Sequence, residues 1–432
     1  LKIMTLLRQL NGEERLIGSP LWWEKIASQH LPLITYVNDQ FCSVIFLWQD
    51  PEGDENHSNT ANVLLNVNSV TNHHSWEPKC LERIAGTDVW VGQLEINATW
   101  RGGYSFIPLA IDQLPEGVKA AGNGSRESQR NWWIDVVQGQ VHDPLNLLPV
   151  QFSGWGMSSS LHLPNAPIEL GWSEWEKGQL RSIEQSQITL IDWQSQALSN
   201  QRPCGVFSTS SAKAPLVVLL DGQKWGAKSG TLSVLQYLTD TKMIAPAHYL
   251  LVPSVDSQTR WKELSCHRPF WQALINELLP SVKKSLQAVD RGVTEYVVAG
   301  QSLGGLSALY AGLYFADYFS KVISLSGSFW WPEQNRIRIP KESSGECEVL
   351  NQPPVNSLAD LILKGHLDVT NLQLFQTVGL GEKDMCLYND QTFQAIKDKG
   401  GRVSYEKVSG GHDWLSWRSG LMNGLIYLIP SE

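Results

Sequence analysis

The stretch TEYVVAGQSLGGLSALYAGLYFADYF, residues 294–319, constrains this chain more than any other. An apolar, β-branched run passes straight into Gly300-Gln301-Ser302-Leu303-Gly304, and a long apolar helical segment follows at once. A strand that becomes a helix with no intervening loop forces its central residue into a strained backbone conformation and leaves that side chain exposed. The flanking glycines are expected where side chains would collide with the neighbouring strand and helix. Strand, G-x-S-x-G and helix in register point to Ser302 as a nucleophile, against the plainer alternative of a Gly-Ser turn.

The surroundings fit that reading. From Ile188 onward, strand and helix patterns alternate. ITLID and CGVFST read as an antiparallel start, and APLVVLLDG, YLLVPSVD, KVISLSGS and LQLFQTVGL as buried strands. PFWQALINELLPSVKKSL is a helix between them. Buried apolar strands separated by helices imply a mostly parallel sheet covered on both faces. With the serine turn, this predicts an α/β class and an α/β-hydrolase catalytic domain over residues 187–432.

The first half has another texture. SPLWWEKIAS reads as a short helix capped by Ser19 and Pro20, and FCSVIFLW, ANVLLNV, DVWVGQLEI and GGYSFIPLAI as short strands between turn residues. That pattern predicts an all-β antiparallel sandwich over residues 1–165, followed by a linker over 166–186. The Gly-rich, polar stretch from Leu114, LPEGVKAAGNGSRESQRNW, reads as a loop.

Chain order then orders the chemistry. The N–H of Leu303, at the start of the helix, is the expected first oxyanion donor. The turn Asp221-Gly222-Gln223-Lys224-Trp225 offers Gly222 as the second, unless it is an ordinary strand-ending turn. A base in this fold follows the last strand, which places it at His412 in SGGHDW; the two glycines let that loop fold back. The acid follows the penultimate strand, where Glu382 and Asp384 both qualify and Asp390 is a more distant choice. His248, His267 and His366 lack such a loop.

Composition removes whole classes of function. The chain has 432 residues, 42% of them hydrophobic and 18% charged, which suits a folded chain of more than one domain. A formal charge of -9 argues against nucleic acid or an anionic membrane as partner. Six scattered cysteines, Cys42, Cys80, Cys204, Cys266, Cys347 and Cys386, form no metal-ligand or redox spacing. They read as reduced thiols, with no metal and no cofactor expected. The N-terminal apolar run is broken by Arg8 and Glu13, and no stretch of about 18 apolar residues occurs, so a cytoplasmic location is expected.

Several motifs resemble one family, the enterochelin (enterobactin) esterases, which are similar to the esterase D type of α/β hydrolase. In the second half these are VVLLDGQKW, SQTRWKEL, AGQSLGGLSALYAGL, SLSGSFWWP and SGGHDWLSWRSGL; in the first, FLWQD, IAGTDVWVG, WRGGYSFIP and DPLNL. The resemblance implies an immunoglobulin-like N-terminal sandwich and hydrolysis of the trilactone of ferric enterobactin by a Ser–acid–His mechanism. It also implies a Glu as the acid, which lands on Glu382; relatives tend to show Arg-Glu-Pro there, where this chain has Gly381-Glu382-Lys383. His267 stands where an Asn is usual.

A ferric tris-catecholate is a bulky trianion with flat rings, so its site needs cations and aromatic faces. Arg260 is the expected cation, the alternative being an ion pair with Glu263. Trp225, Trp330 and Trp331 are the expected stacking faces, the alternative for each being packing in the core. Arg336, Arg338 and Lys341 form a basic loop that either attracts the anion or is a solvated turn. A feruloyl- or acetyl-type esterase with a glycan-binding sandwich is the competing specificity.

Overall fold

The computed structural model describes residues 16–332 and 356–432. Contacts divide the chain into a first unit, up to Pro167 and including Ser409–Leu415, and a second, Ile168–Val408 with Ser416–Glu432.

The first unit is built on two four-stranded antiparallel sheets, ordered β1-β2-β5-β4 and β3-β6-β8-β7. The strands are β1 Leu33–Tyr36, β2 Phe41–Gln49, β3 Asn62–Val67, β4 Glu82–Arg83, β5 Val89–Asn97, β6 Arg101–Leu109, β7 Gln151–Ser153 and β8 Gly156–His162. Alternate side chains of β2 (Val44, Phe46, Trp48) and β3 (Val63, Leu65, Val67) meet in one core with Trp90, Phe106 and Leu161. The sheets therefore pack face to face.

Each sheet also carries a helix on its other face. Ser19 caps helix Pro20–Ala27, its Oγ accepting from the Trp22 N–H at 3.2 Å, and Trp22, Trp23 and Ile26 pack on Ile45, Leu47 and Val91. On the second sheet the structure corrects the sequence reading. The stretch from Leu114 is not a loop but two helices, Pro115–Ala121 and Arg126–Val137. Pro115 opens the first and Ser125 caps the second, which buries Trp132, Trp133, Val136 and Val137 against Leu64, Ile107 and Leu109. The Gly122-Asn123-Gly124 cluster that gave the stretch its loop-like composition is only the turn between them, with Asn123 and Gly124 at φ 58° and 65°.

The second unit carries one eight-stranded sheet in the order β16-β15-β14-β13-β11-β12-β10-β9. Its strands are β9 Thr189–Ser195, β10 Asn200–Ser208, β11 Lys213–Leu220, β12 His248–Val252, β13 Gly292–Gln301, β14 Lys321–Leu325, β15 Gln373–Gly379 and β16 Arg402–Val408. The pairings of β10 with β9 and with β12 are antiparallel; from β12 through β11 to β16 every pairing is parallel. Leu216–Leu220 are all buried, as expected of a strand covered on both faces.

The segment read as a linker, 166–186, is folded instead. Trp172, fully buried, opens a short helix Trp172–Glu176. Arg418, on helix Trp414–Leu428, reaches Glu169 at 3.1 Å through Nε and Glu176 at 2.6 Å through Nη2. One guanidinium between two carboxylates anchors this segment in the second unit.

Candidate active site

Ser302 sits between β13 and helix Leu303–Tyr314 with φ 58° and ψ −122°, a backbone conformation that an L-residue holds only under constraint. The constraint is visible in its hydrogen bonds. Its N–H donates to the Leu325 carbonyl at 2.9 Å, and its own carbonyl accepts from Gly305, Leu306 and Ser328 N–H at 3.0–3.1 Å. A Cβ on Gly300 would lie 2.2 Å from the Gly304 carbonyl oxygen, so glycine is obligatory there. Gly304 differs from the sequence expectation, because a Cβ would meet only ordinary contacts at 3.6 Å. The second crowded glycine is Gly305, 2.9 Å from Ser324 Oγ. Leu303 is the first helical residue, so its N–H has no carbonyl four residues back to bind.

The turn after β11 is organised by Asp221. This residue adopts the left-handed region at φ 52°, and its carboxylate is fully buried. Arg260 grips it in a fork, Nε to Oδ1 and Nη2 to Oδ2, both at 2.8 Å, and Ser254 Oγ donates to Oδ1 at 2.5 Å. Burial alone would raise the Asp221 carboxyl pKa; the Arg260 guanidinium, together with the Ser254 hydroxyl and the Lys224 ammonium, holds it below the ordinary value. Burial pushes the Lys224 ammonium pKa down, opposed by Asp221. Arg260 is thus paired, but not with Glu263, whose carboxylate binds Arg202 at 2.6 Å. Gly222 is required for a reason other than a substrate carbonyl: a Cβ there would lie 2.5 Å from the backbone of Leu251 and Val252.

Glu382 ends the short turn Leu380–Glu382 after β15 and is 8% exposed. Its Oε2 accepts from Ser326 Oγ at 2.7 Å and from the Gly379 N–H at 2.6 Å, and Ser326 Oγ in turn accepts from Trp417 Nε1 at 3.0 Å. Asp384 instead begins helix Asp384–Asp398 and is half-buried. Asp390 is committed to Tyr405 Oη and Lys407, both at 2.8 Å.

His412 is exposed and belongs to the first unit through the loop Ser409–Leu415. Gly411 faces Asn68 and Ser69: a Cβ would lie 2.2 Å from Asn68 Oδ1. His248 is buried against Ser208 Oγ at 2.8 Å, and His267 stands at the start of helix Arg268–Ala273, its imidazole pKa lowered by burial.

The tryptophans separate. Trp225 is 1% exposed and Trp330 is 5% exposed and part of the core, so both pack rather than present a free face. Trp331 is half-buried at the core's edge. Trp261, which the sequence reading passed over, is 47% exposed and lies against Trp330 with ring centroids 5.9 Å apart. Arg336, Arg338 and Lys341 lie outside the described residues.

Comparison with known proteins decides the family. Residues 43–172 match the family model "Enterochelin esterase, N-terminal", and residues 195–428 match the Esterase model. The iron(III) enterobactin esterase of Dickeya dadantii is 36% identical over 96% of this chain and 94% of its own length. The same-named protein of Escherichia coli K12 is 35% identical over 95% of this chain and 96% of its own. The crystal structure of the Shigella flexneri enterobactin esterase in the presence of enterobactin superposes with a TM-score of 0.79, at 33% identity, covering 95% of this chain and 98% of that one.

The chain belongs to the enterochelin esterase family.

Two residues that build the turns of this candidate site carry no mark in the sequence. Asp221 stands in VVLLDGQKW, but a strand-ending Asp-Gly gives no sign that its carboxylate is buried beneath an arginine. Ser326, in SLSGS, looks like one more turn serine; only the pairing of β14 with β15 brings it to Glu382. Five cysteines, Cys42, Cys80, Cys204, Cys266 and Cys386, are free thiols, and Cys347 lies outside the described residues.

Proposed function

We propose that this protein hydrolyses the trilactone ester bonds of ferric enterobactin and so releases iron, with Ser302 as nucleophile, His412 as general base and Glu382 as the acid that orients it. The observation that carries the reading is the strained serine between β13 and its helix, within a chain that matches iron(III) enterobactin esterases over nearly its whole length. Ser302 Oγ attacks an ester carbonyl while His412 takes its proton, then returns it to the leaving seryl oxygen. Water repeats the cycle on the acyl-enzyme. The Leu303 N–H, at the positive end of the helix, takes the developing oxyanion, with Gly222 as the second donor. Burial of Glu382 and its bonds to Ser326 and Gly379 support it over Asp384 as the fixed carboxylate.

Arg260 serves as the cation for the trianionic substrate. Nε and Nη2 are committed to Asp221, and the side chain remains 23% exposed. Trp331 offers a partly open ring; Trp225 and Trp330 act from beneath, as packing for the turns that carry the site. The two antiparallel sheets of the first unit are read as an immunoglobulin-like sandwich. Free thiols and the absence, among the described residues, of a helix long and apolar enough to cross a membrane support a cytoplasmic protein. The net charge of -9 supports a small-molecule substrate over nucleic acid or an anionic membrane.

Chromatography of products after mixing the protein with ferric enterobactin tests this. Linear dihydroxybenzoylserine oligomers are expected; an unaltered trilactone beside rapid cleavage of a simple feruloyl ester would overturn the specificity.

A further inference from the structure

Two glycine pairs far apart in the sequence, Gly102-Gly103 and Gly410-Gly411, are left over by the mechanism, and the first unit brings them together. The loop Ser409–Leu415 is bound to this unit at three successive points. Before the histidine, the Ser409 carbonyl accepts from the Arg101 N–H at 3.1 Å. At the histidine, the His412 carbonyl accepts from Asn68 Nδ2 at 3.1 Å. After it, Asp413 Oδ2 accepts from the Gly103 N–H at 2.5 Å. The second and third partners are themselves joined, since the Asn68 N–H donates to the Gly103 carbonyl at 3.0 Å.

The glycines make this approach feasible. A Cβ on Gly102 would lie 3.1 Å from Asp413 Oδ2 and 2.4 Å from the Trp100 ring, and one on Gly103 2.9 Å from Ser158 Oγ. A Cβ on Gly411 would overlap Asn68 and Ser69. Asp413 is only 6% exposed, and its second oxygen, Oδ1, accepts from the Leu415 N–H at 3.2 Å. One buried carboxylate therefore ties the start of helix Trp414–Leu428 to strand β6.

Catalysis requires a base on an exposed, glycine-rich loop to be placed to within about 0.5 Å, and the backbone of that loop is where its placement is set. We propose that Asn68 and Asp413 are positioning residues for the general base, fixing the backbone on either side of His412. This rests on His412 being the base.

The test uses the full-length protein with a neutral nitrophenyl ester and with ferric enterobactin. Asp413→Asn keeps the shape but removes the charge and one acceptor oxygen; Asn68→Ala removes the half-buried donor with little risk to folding. A base displaced by a fraction of an ångström to one ångström lowers kcat by about tenfold to a hundredfold. The expected result is such a loss in Asp413→Asn, a smaller one in Asn68→Ala, KM within about twofold for both substrates, and an unmoved acid limb of the pH–kcat profile.

Wild-type kcat in both variants, beside an inactive His412→Ala, would overturn the proposal. So would a loss that only tracks the folded fraction, or a pH limb that moves while the plateau holds, which would make Asp413 an electrostatic partner. Full activity in His412→Ala would instead remove the base assignment itself.

Discussion

The proposed nucleophile and the proposed base of this protein are secured by opposite means. Ser302 is held by covalent geometry and packing: strand, turn and helix are consecutive in the chain, and Gly300 and Gly305 are crowded by backbone or by a neighbouring serine. The backbone around His412 is held by hydrogen bonds from far along the chain, to His412 from Asn68 in the turn after β3, 344 positions away, and to Asp413 from Gly103 on β6, 310 positions away. The first support cannot be loosened without damaging the sheet. The second can be loosened one bond at a time, so changes near His412 should act on rate and changes near Ser302 on folding.

The largest expected effect separates the acid from its neighbour. Glu382→Gln should lower kcat by about a hundredfold to ten-thousandfold, because the imidazole loses the carboxylate that fixes its tautomer. Asp384→Asn, at a half-buried helix start, should change kcat by less than about threefold. Parallel steady-state measurements decide this, and a larger loss in Asp384→Asn moves the acid by two residues.

A glycine pair sharpens the contrast on the nucleophile side. Gly300→Ala should destabilise the second unit by about 3 kcal/mol or more, since its Cβ meets backbone rather than a mobile side chain. Gly304→Ala, in a helix and with only ordinary contacts, should be neutral or stabilising by up to about 1 kcal/mol. Urea unfolding of the two variants gives the comparison directly; equal losses would mean that the strain is not localised at Gly300.

The smallest effect concerns pH. Asp221 has its carboxyl pKa lowered in the fold, despite burial, by the Arg260 fork with Ser254 and Lys224. A carboxylate so shifted contributes stability that is fully present above the unfolded value of about 3.9 and disappears as pH falls through the folded value. Asp221→Asn should therefore cost most at neutral pH, and its cost should shrink as unfolding is measured below about pH 4. A cost independent of pH would assign the role of Asp221 to hydrogen bonding alone.

The same contrast explains what the sequence could disclose. Ser302, Leu303 and the parallel sheet were legible because the elbow is written in consecutive residues and each buried strand is an unbroken apolar run. His412 is singled out by chain order, and its loop belongs by contact to the first unit. Glu382 and Asp384 stand two residues apart, so chain order leaves both open; the family resemblance points to Glu382, and its burial and bond to Ser326 support that choice. Nothing local marks Asn68 or Gly103 as partners of the histidine loop. Among 19 tryptophans no spacing separates the buried Trp225 from the exposed Trp261. The helices after Leu114 were missed because an inter-helix turn dominated the composition of the window.

The most direct test of the central claim is covalent. The protein should be treated with a fluorophosphonate, its peptides mapped by mass spectrometry, and ferric enterobactin hydrolysis followed on the same samples. The account predicts a single adduct on Ser302, activity lost in proportion to its occupancy, and labelling that is slow in His412→Ala. Undiminished hydrolysis with Ser302 fully modified would contradict it.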